Sequence, residues 1–348
     1  MGVTKVAVIF GGRSSEHSIS CISARSVAAA LRAAGYDVQG LGITQSGAWV
    51  QLDPTTLDGE LPVVPTYASA AVLAPDPTNP GIDVDVVFPV LHGPWGEDGT
   101  VQGLLEMAGI SYVGSGVFAS AASMDKGHMK MAFNDAGLPT NMYVVITAAQ
   151  WRADQDACLT RVRELPGPWF VKPARAGSSL GITKVRDAAA LAAAIEAASA
   201  HDPKVIVEQS IEPAREIECG VLVDDDGVAR SSVCAEIVVR EGHEFYDFEA
   251  KYLDDSAELI VPAQLDPAIE ARVRELAVAA FHALECEGLA RVDFFVSGDE
   301  VLLNEVNTMP GFTSISMFPR MWMAMGMSYE AIVEQLVRDA LRRGTGLR

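Results

Sequence analysis

Positive charge is scarce in this sequence. Of its 348 residues 26 are Lys or Arg, whereas 46 are Asp or Glu, and the formal net charge is −20. Such an acidic protein is repelled by nucleic-acid phosphates and by anionic membrane surfaces, which excludes general binding to either. An anionic ligand would need local positive charge, so each Lys or Arg near a predicted loop becomes informative.

Cysteine is scarce as well. The five cysteines are scattered, odd in number and without CxxC spacing: Cys21, Cys158, Cys219, Cys234 and Cys286. This usage indicates neither a disulfide framework nor a zinc site.

Long apolar runs are missing too. The best candidate, residues 107–124, is uncharged over 18 residues but contains three Gly and four Ser, which makes it a poor membrane span. No cationic segment followed by an apolar one precedes the first predicted strand, so we expect no signal peptide. These features predict a cytoplasmic protein.

What remains is a composition suited to folded domains. Hydrophobic residues make up 49% of the chain and charged residues 21%, which permits substantial cores and argues against disorder. A chain of this length is expected to form two or three domains. Apolar strands that alternate with helices near the N-terminus predict an α/β domain there.

A pair of strands near the C-terminus carries the strongest candidate site. Apolar runs at residues 291–296 and 301–306 flank a Gly turn at 297–299, which is typical of a β-hairpin. Side chains alternate faces along a strand, so Arg291 and Asp293 share one face.

The same alternation places Glu305 and Asn307 together on the partner strand, and in simple register both converge with Asp293 at the open end of the hairpin. Two carboxylates and an amide form an all-oxygen set that suits Mg²⁺ held together with phosphates. Spacing alone leaves open an exposed polar hairpin face. The neighbouring Arg291 and the Pro-Gly pair at 310–311 favour a site.

The first predicted strand, residues 5–10, ends in a Gly-Gly pair and leads into a helix at 15–34. Ser14 or Ser15 is expected to cap this helix, and Glu16 falls in its first turn. A carboxylate there is either a favourable charge at the positive end of the helix dipole or part of a binding site.

A second buried strand, residues 84–90, leads into the Gly-rich loop at 92–100. Open α/β sheets bind ligands just past the carboxyl ends of their strands. His92 is therefore a candidate site residue, although a lone histidine is more often structural.

Two lysines mark a candidate phosphate site. Lys172 interrupts the apolar run 169–173, and a Gly/Ser loop at 174–181 follows it; Lys126 lies on a predicted helix at 125–136. Backbone N–H groups of such a loop can bind phosphates, whereas the alternative is a solvent-exposed hairpin turn. Neither a P-loop nor a GxGxxG dinucleotide fingerprint is present.

Further polar residues follow in the same half of the chain. Glu208 and Glu216 lie at the ends of predicted strands, where a carboxylate either binds ribose hydroxyls or is simply solvated. The long polar and aromatic segment at 240–258 is typical of an active-site lid.

Taken together, these segments resemble the D-alanine–D-alanine ligases, which are members of the ATP-grasp family. The resemblance covers almost the whole chain. The segments that carry it are GGRSSEHSIS (11–20), HGPWGEDG (92–99), MDK (124–126), VKPARAGSSLG (171–181), YDFEAKY (246–252), RVD (291–293) and NEVNTMPGFTSIS (304–316).

The resemblance implies a three-domain ATP-grasp fold. It is α/β, with α+β character in the C-terminal parts and a Rossmann-like parallel sheet in the N-terminal domain. We expect a substrate-binding domain at 1–123, a central ATP-grasp domain at 124–214 and a C-terminal catalytic domain at 215–348.

The implied activity is the ATP-dependent joining of two D-alanine molecules into D-alanyl-D-alanine, a peptidoglycan precursor. The first carboxylate attacks the γ-phosphate of ATP to give an acyl phosphate and ADP, and the amine of the second D-alanine then displaces phosphate. The family pattern also implies two Mg²⁺ ions, with Mn²⁺ as a substitute, and a homodimer.

The same resemblance assigns roles to individual residues. Asp293, Glu305 and Asn307 would hold the metal ions, and Arg291 with the backbone N–H of Gly311 would stabilise the tetrahedral oxyanion. The residues implied in nucleotide binding are Lys126, Lys172, Ser178, Ser179, Glu208 at the adenine, Glu216 at the ribose, and Lys251.

Substrate residues follow from the same motifs. Glu16 would bind the ammonium of the first D-alanine and form a hydrogen-bonded triad with Ser178 and Tyr252 that holds the lid shut. His92 would lie near the first D-alanine, and Ser316 would bind the carboxylate of the second. A Tyr at position 252 accompanies an amine nucleophile in the family, which predicts a dipeptide rather than a depsipeptide.

The sequence leaves three alternative functions open. One is a D-alanine–D-lactate ligase or another ATP-grasp ligase that joins a different carboxylate and amine. The second is a nucleotide-binding module without catalysis, against which the set of Arg291, Asp293, Glu305 and Asn307 argues. A dehydrogenase is the weakest, because the dinucleotide fingerprint is absent.

Overall fold

Three β-sheets organise the protein. The computed structural model describes residues 2–52, 56–57, 59, 63–66, 69–177, 180–239, 257–346 and 348. Within those ranges, no helix combines the length and the apolar character needed to cross a membrane.

The first sheet has six strands in the order β4-β3-β2-β1-β5-β6, parallel from β2 to β6 and antiparallel at the β3–β4 edge. Both faces of its central strand are covered, so residues 6–10 are fully buried and the strand is a continuous apolar run. The strands are β1 Lys5–Gly11, β2 Asp37–Ile43, β3 Trp49–Leu52, β4 Ser69–Ala70, β5 Val86–Val90 and β6 Ser111–Tyr112, with helices α1 His17–Ala33 and α2 Thr100–Ala108.

Helix α1 begins later than the sequence predicted, and its cap differs. Glu16 occupies the N-cap position without a side-chain capping bond. The expectation that Ser14 or Ser15 caps the helix is therefore wrong. Ser14 Oγ instead accepts a hydrogen bond from the Glu16 N–H at 3.1 Å and donates one to the carbonyl of His92 at 2.7 Å. This arrangement ties the helix start to the loop that follows β5.

The second sheet is antiparallel, with the order β7-β10-β8-β9. Its apolar core packs against helices on one side. The elements from the first sheet to the end of the second are α3 Val117–Met124, α4 Lys126–Asp135, β7 Tyr143–Thr147, α5 Ala148–Ala153, α6 Gln155–Arg163, β8 Trp169–Pro173, β9 Thr183–Val185, a 3-10 turn Ala188–Ala190, α7 Leu191–Ser199 and β10 Lys204–Gln209.

The third sheet is antiparallel, with the order β13-β12-β11-β14-β15. It contains the hairpin predicted from the sequence, with Gly298 at φ +58° in the turn. The elements are β11 Arg215–Val223, β12 Ala229–Val239, β13 Ala257–Ile260, α8 Pro267–Ala283, β14 Leu289–Ser297, β15 Glu300–Asn307, α9 Met317–Met323 and α10 Tyr329–Arg343.

The cores connect distant parts of the chain. Ile332 and Leu336 of α10 belong to the same buried cluster as Val8 and Phe88 of the first sheet. Met129 of α4 packs into the core of the third sheet, although it precedes the second sheet in the sequence. The domain boundaries at 123 and 214 stay a prediction.

Candidate active site

A cleft of about 630 Å³ is lined by residues of the second and third sheets, and by α1 and the loops that precede α1 and follow β5. It contains most of the side chains that the sequence singled out. The predicted site residues that line it are Glu16, His92, Lys126, Lys172, Glu216, Arg291, Asp293, Glu305, Asn307, Gly311 and Ser316.

Four other predicted residues lie outside the described part of the chain. They are Ser178, Ser179, Lys251 and Tyr252, and most of the segment predicted to be a lid lies there as well.

The third sheet presents a row of three carboxylates. Glu218 on β11 pairs in register with Asp293 on β14, and Asp293 pairs with Glu305 on β15. Like charges directly opposite each other on a sheet are destabilising unless cations neutralise them. Asp293 and Glu305 thus converge as predicted, but not in simple register, because an irregularity between Asp293 and Phe294 shifts the pairing by one residue and places the two carboxylates opposite each other.

Arg291 neutralises two members of the row. Its Nε and a terminal nitrogen each donate to one oxygen of Asp293 at 2.7 Å, and Nε lies 3.2 Å from Glu218. Burial opposes the charge of this guanidinium, but the carboxylates of Asp293 and Glu218 outweigh it and raise the pKa of Arg291.

Two further contacts complete the open end of the hairpin. Asn307 Nδ2 donates to Asp293 at 3.2 Å. Lys126 Nζ lies 3.3 Å from Glu305 and donates to the carbonyl of Ala176 at 3.0 Å. Lys126 therefore bridges the carboxylate row and the start of the Gly/Ser loop.

The donor chemistry of this corner fits a hard cation. Asp293, Glu305 and Asn307 offer oxygen atoms in one place, as Mg²⁺ prefers. In the part of the chain that the structure describes, no group of three or more His, Cys, Asp or Glu is arranged around a metal position. Any metal there would take its remaining ligands from water or phosphate oxygens.

The second sheet presents lysines to the same cleft. Lys172 on β8 ion-pairs with Glu208 on β10 at 2.5 Å, and the other oxygen of Glu208 lies 2.9 Å from Lys130 on α4. Burial raises the cost of the Glu208 charge, yet the two lysines outweigh it and lower the pKa of Glu208 to about 2. The carboxylate is therefore ionised at neutral pH.

Glu208 lies behind the cleft wall rather than in it. It is 1% exposed and its carboxylate faces the two lysines, whereas Lys172 lines the cleft. The contact between Glu208 and the adenine stays a prediction. Glu216, in contrast, does line the cleft.

Two glycine backbones enclose the carboxylate of Glu16. A Cβ atom built on Gly93, which has φ +75°, would lie 2.6 Å from Glu16 Oε2, and one built on Gly177 would lie 3.1 Å away. Only glycine allows so close an approach. Glu16 thus joins the loop after β5 to the start of the Gly/Ser loop.

His92 is held as a neutral ring. Its Nδ1 donates to the carbonyl of Met309 at 3.1 Å, so Nε2, at 3.2 Å, accepts from the Ser23 hydroxyl. Burial lowers the pKa of His92, although Glu16 nearby opposes that shift. His92 therefore anchors the loop at 309–311 and brings no positive charge to the cleft.

Glu97 is a cleft residue that the sequence reasoning missed as a site. Its Oε2 accepts a hydrogen bond from the Gly93 N–H at 2.5 Å. Burial, reinforced by the Glu16 carboxylate, raises the pKa of Glu97 to about 8. Its position within the segment HGPWGEDG (92–99) was the signal that could have identified it as a site residue.

Gly311 and Ser316 lie side by side at the other end of the cleft. A Cβ atom on Gly311 would lie 3.3 Å from Ser316 Oγ. That hydroxyl accepts from the Thr313 N–H at 3.1 Å and is 2.8 Å from the Thr313 hydroxyl. The loop is thus closed by its own polar groups beside the carboxylate row.

Lys130 and Glu218 were also missed as site residues. Glu218 had a signal, since it alternates with Glu216 on the same predicted strand. Lys130 follows Lys126 by one helical turn, which places both on one face of α4, but its partners come from remote strands.

Two facing sheets, one presenting lysines and the other carboxylates, with an N-terminal parallel-sheet unit at one end of the cleft, define an ATP-grasp protein. Models of the D-ala D-ala ligase N-terminus and C-terminus match residues 5–115 and 132–338. The chain belongs to the D-alanine–D-alanine ligase family.

Relatives and solved structures agree with this assignment. The chain is 53% identical over 370 residues to a D-alanine–D-alanine ligase of Rhodococcus jostii (strain RHA1), covering 99% of both chains. It is 54% identical over 364 residues to that of Nocardia farcinica (strain IFM 10152), again covering 99% of both.

Among solved structures, the VanG D-Ala:D-Ser ligase from Enterococcus faecalis superposes with a TM-score of 0.85 at 36% identity, over 97% of this chain and 100% of that one. The D-alanine–D-alanine ligase from Coxiella burnetii gives a TM-score of 0.84 at 31% identity, over 98% of this chain and 94% of that one.

Proposed function

We propose that this protein joins two D-alanine molecules into D-alanyl-D-alanine at the expense of ATP, as a step towards peptidoglycan precursors. The observation that carries the proposal is the pair of oppositely charged cleft walls, Lys126 and Lys172 facing Asp293 and Glu305, which ends at Glu16 and His92. This arrangement suits a polyphosphate at one end and an amino acid at the other.

The reaction has two balanced steps. A carboxylate oxygen of the first D-alanine bonds to the γ-phosphorus of ATP as the bond to the β-phosphate oxygen breaks, giving an acyl phosphate and ADP. The free amine of the second D-alanine then attacks the acyl carbon, loses a proton and expels inorganic phosphate. Both steps depend on neutralised charge rather than on a protein nucleophile.

Asp293, Glu305 and Asn307 would hold the metal, which we expect to be two Mg²⁺ ions with Mn²⁺ as a substitute. Bound there, the ions would neutralise phosphate charge during transfer. Before any metal binds, Arg291 and Lys126 already contact these carboxylates.

Arg291 is suited to a developing oxyanion as well as to the carboxylates. It is fixed by Asp293 and Glu218 within the cleft, so it needs little reorganisation when negative charge forms. We assign it to the tetrahedral intermediate together with the Gly311 N–H, and we assign Ser316 to the carboxylate of the second D-alanine.

We assign the remaining residues of the cleft to the nucleotide and to the first D-alanine. Lys126 and Lys172 would contact the phosphates and Glu216 the ribose, while Glu16 would bind the ammonium of the first D-alanine beside His92. We keep Ser178, Ser179, Lys251 and Tyr252 as proposed loop and lid residues. Glu208 we assign to the support of Lys172, because its carboxylate contacts the lysines.

We further propose a cytoplasmic homodimer whose chain divides at about residues 123 and 214. Size-exclusion chromatography with light scattering tests the dimer, since a monomer at working concentrations would contradict it.

A second candidate is mixed ligation, because one similar solved structure is a D-Ala:D-Ser ligase at 36% identity. The test measures ADP release and identifies products by mass spectrometry with D-alanine alone, then with added D-serine or D-lactate. We expect D-alanyl-D-alanine to dominate throughout. Dominance of the D-serine product or of the D-lactate ester would overturn the proposed substrate pair.

A further inference from the structure

A fully buried lysine lies behind the wall of the cleft that contains Lys172. Lys130 on α4 is 0% exposed. Its Nζ donates to Asn141 Oδ1 at 2.7 Å and lies 2.9 Å from Glu208. Asn141 is held in turn through its Nδ2, which donates to the carbonyl of Gln209 at 2.8 Å. A buried lysine is rare unless paired, so its partners indicate what it does.

The charge balance of this group depends on Lys130. Glu208 carries one negative charge, and both Lys130 and Lys172 contact it. With Lys172 alone, the pair would carry no net charge, because the ammonium lies 2.5 Å from the carboxylate. With Lys130 protonated, the group carries one net positive charge; burial lowers the pKa of Lys130, and Glu208 opposes that shift.

The position of Lys130 on its helix supports this view. Lys126 lies one turn earlier on α4 and lines the cleft, while Lys130 is buried and contacts Glu208 on β10. A single helix therefore supplies one lysine to the cleft and a second that balances the counter-ion of Lys172. Neither Asn141 nor Glu208 lines the cleft.

We propose that Lys130 is a positioning residue that neutralises Glu208, so that the Lys172 ammonium keeps an unbalanced positive charge for the phosphates of the nucleotide. This inference rests on the proposed function only in taking the ligand to be a nucleoside polyphosphate. Lys130 touches neither the nucleotide nor the reacting atoms.

The test measures the binding of ADP and of adenosine by calorimetry to the wild type, K130M, E208Q and the double variant K130M/E208Q. We expect K130M to bind ADP about tenfold more weakly, since Glu208 then neutralises the charge of Lys172. In the absence of Glu208 the loss of Lys130 should matter little, so the double variant should bind ADP within about threefold of E208Q, because the charge that offsets Lys172 is then absent. Adenosine affinity should not change in K130M.

The double variant separates charge balance from a structural role. A lysine needed only for packing would leave K130M and K130M/E208Q equally impaired, which would overturn the proposal. So would a K130M affinity for ADP within twofold of the wild type, or a parallel loss of adenosine and ADP binding in K130M. If K130M fails to fold, a tenfold difference in ADP affinity between E208Q and the double variant still contradicts it.

The matched control is K204M. Lys204 lies on the same strand as Glu208 and ion-pairs with Asp125 at 2.6 Å, but it does not line the cleft. It should bind ADP as the wild type does. A wild type that binds ADP but forms no dipeptide would contradict the proposed function while leaving this charge balance intact, whereas failure of the wild type to bind ADP would overturn both.

Discussion

The two walls of the cleft carry opposite charges, and each has a counter-ion of the opposite sign. On the second sheet a buried carboxylate, Glu208, is the counter-ion of Lys172, which lines the cleft, and of the buried Lys130. On the third sheet the arginine is the shared counter-ion, and Arg291 holds Asp293 and Glu218 while Glu305 completes the row. Each wall keeps an excess of one sign because its counter-ion is fixed in the sheet.

This difference explains how a protein with net charge −20 can accept a polyanion. Under the proposed function, the wall of the second sheet that contains Lys172 (the positive wall) would attract phosphate oxygens. The wall of the third sheet that contains Asp293 and Glu305 (the negative wall) would attract the cations that accompany them. Local geometry, rather than the total charge, therefore determines what the cleft binds.

The strongest test of the negative wall is Arg291→Met. It removes the cation shared by Asp293 and Glu218 and the proposed oxyanion contact, so we expect kcat to fall about 10³-fold and the unfolding free energy to fall by about 3 kcal/mol. Steady-state kinetics and urea unfolding measure the two effects. The control is Arg272→Met on α8, where the ion pair with Glu275 is exposed. Unchanged turnover in Arg291→Met would contradict the assignment.

The next test is Glu305→Gln, which keeps the shape of the carboxylate row and removes one charge. We expect kcat to fall on the order of 10²-fold and the Mg²⁺ concentration needed for half-maximal rate to rise. A titration of rate against Mg²⁺ checks this. Glu300→Gln, at the exposed start of the same strand, should behave as the wild type. A normal Mg²⁺ profile in Glu305→Gln would show that the metal binds elsewhere.

Lys172→Met tests the positive wall. Loss of one charged contact to phosphate should raise the KM for ATP about 30-fold, which corresponds to about 2 kcal/mol, with a smaller change in kcat. Initial rates at saturating D-alanine provide the measurement. Arg163→Met, on the exposed side of α6, is the control. An unchanged KM for ATP would place the phosphates away from β8.

The smallest effect is expected for the acid stability of Glu208→Gln. The pKa of Glu208 is about 2 in the folded protein, below its ordinary value of 4.5. The stability it contributes is thus present above pH 4.5 and lost as the pH falls towards 2.

Urea unfolding at pH 5, 4 and 3 should therefore show a weaker loss of stability in Glu208→Gln than in the wild type, by on the order of 2 kcal/mol. Glu164→Gln, an exposed carboxylate of the same sheet unit, should follow the wild type. If the unfolding free energy changed with pH in the same way in the wild type, Glu208→Gln and Glu164→Gln, the lysines would not stabilise the Glu208 charge.

The negative wall was more accessible to sequence reasoning than the positive wall. Strand alternation and a Gly turn sufficed to predict the hairpin, because it depends on neighbouring segments. The pairing of Asp293 with Glu305 also needed the register shift between Asp293 and Phe294, which no pattern in the sequence predicted. The direct contact of Arg291 with Glu218 needed the pairing of β11 with β14, which no local pattern specifies.

The positive wall depends on contacts that are remote in sequence. Lys130 and Glu208 are separated by 78 positions and come from a helix and a strand that meet only in the folded protein. A lysine on an amphipathic helix is ordinarily exposed, so its burial could not be inferred. The same holds for the start of α1, where Glu16 replaces the expected serine cap.

The shared core of α10 and the first sheet has a consequence for biosynthesis. Ile332 and Leu336 cover the face of the sheet that contains Val8 and Phe88. While the ribosome is still translating the codons before Tyr329, α1 covers only part of that face, through residues such as Val27 and Leu31. The strands that are synthesised first are thus among the last to be completely buried. A nascent chain of this protein must avoid aggregation through these strands until α10 has been synthesised.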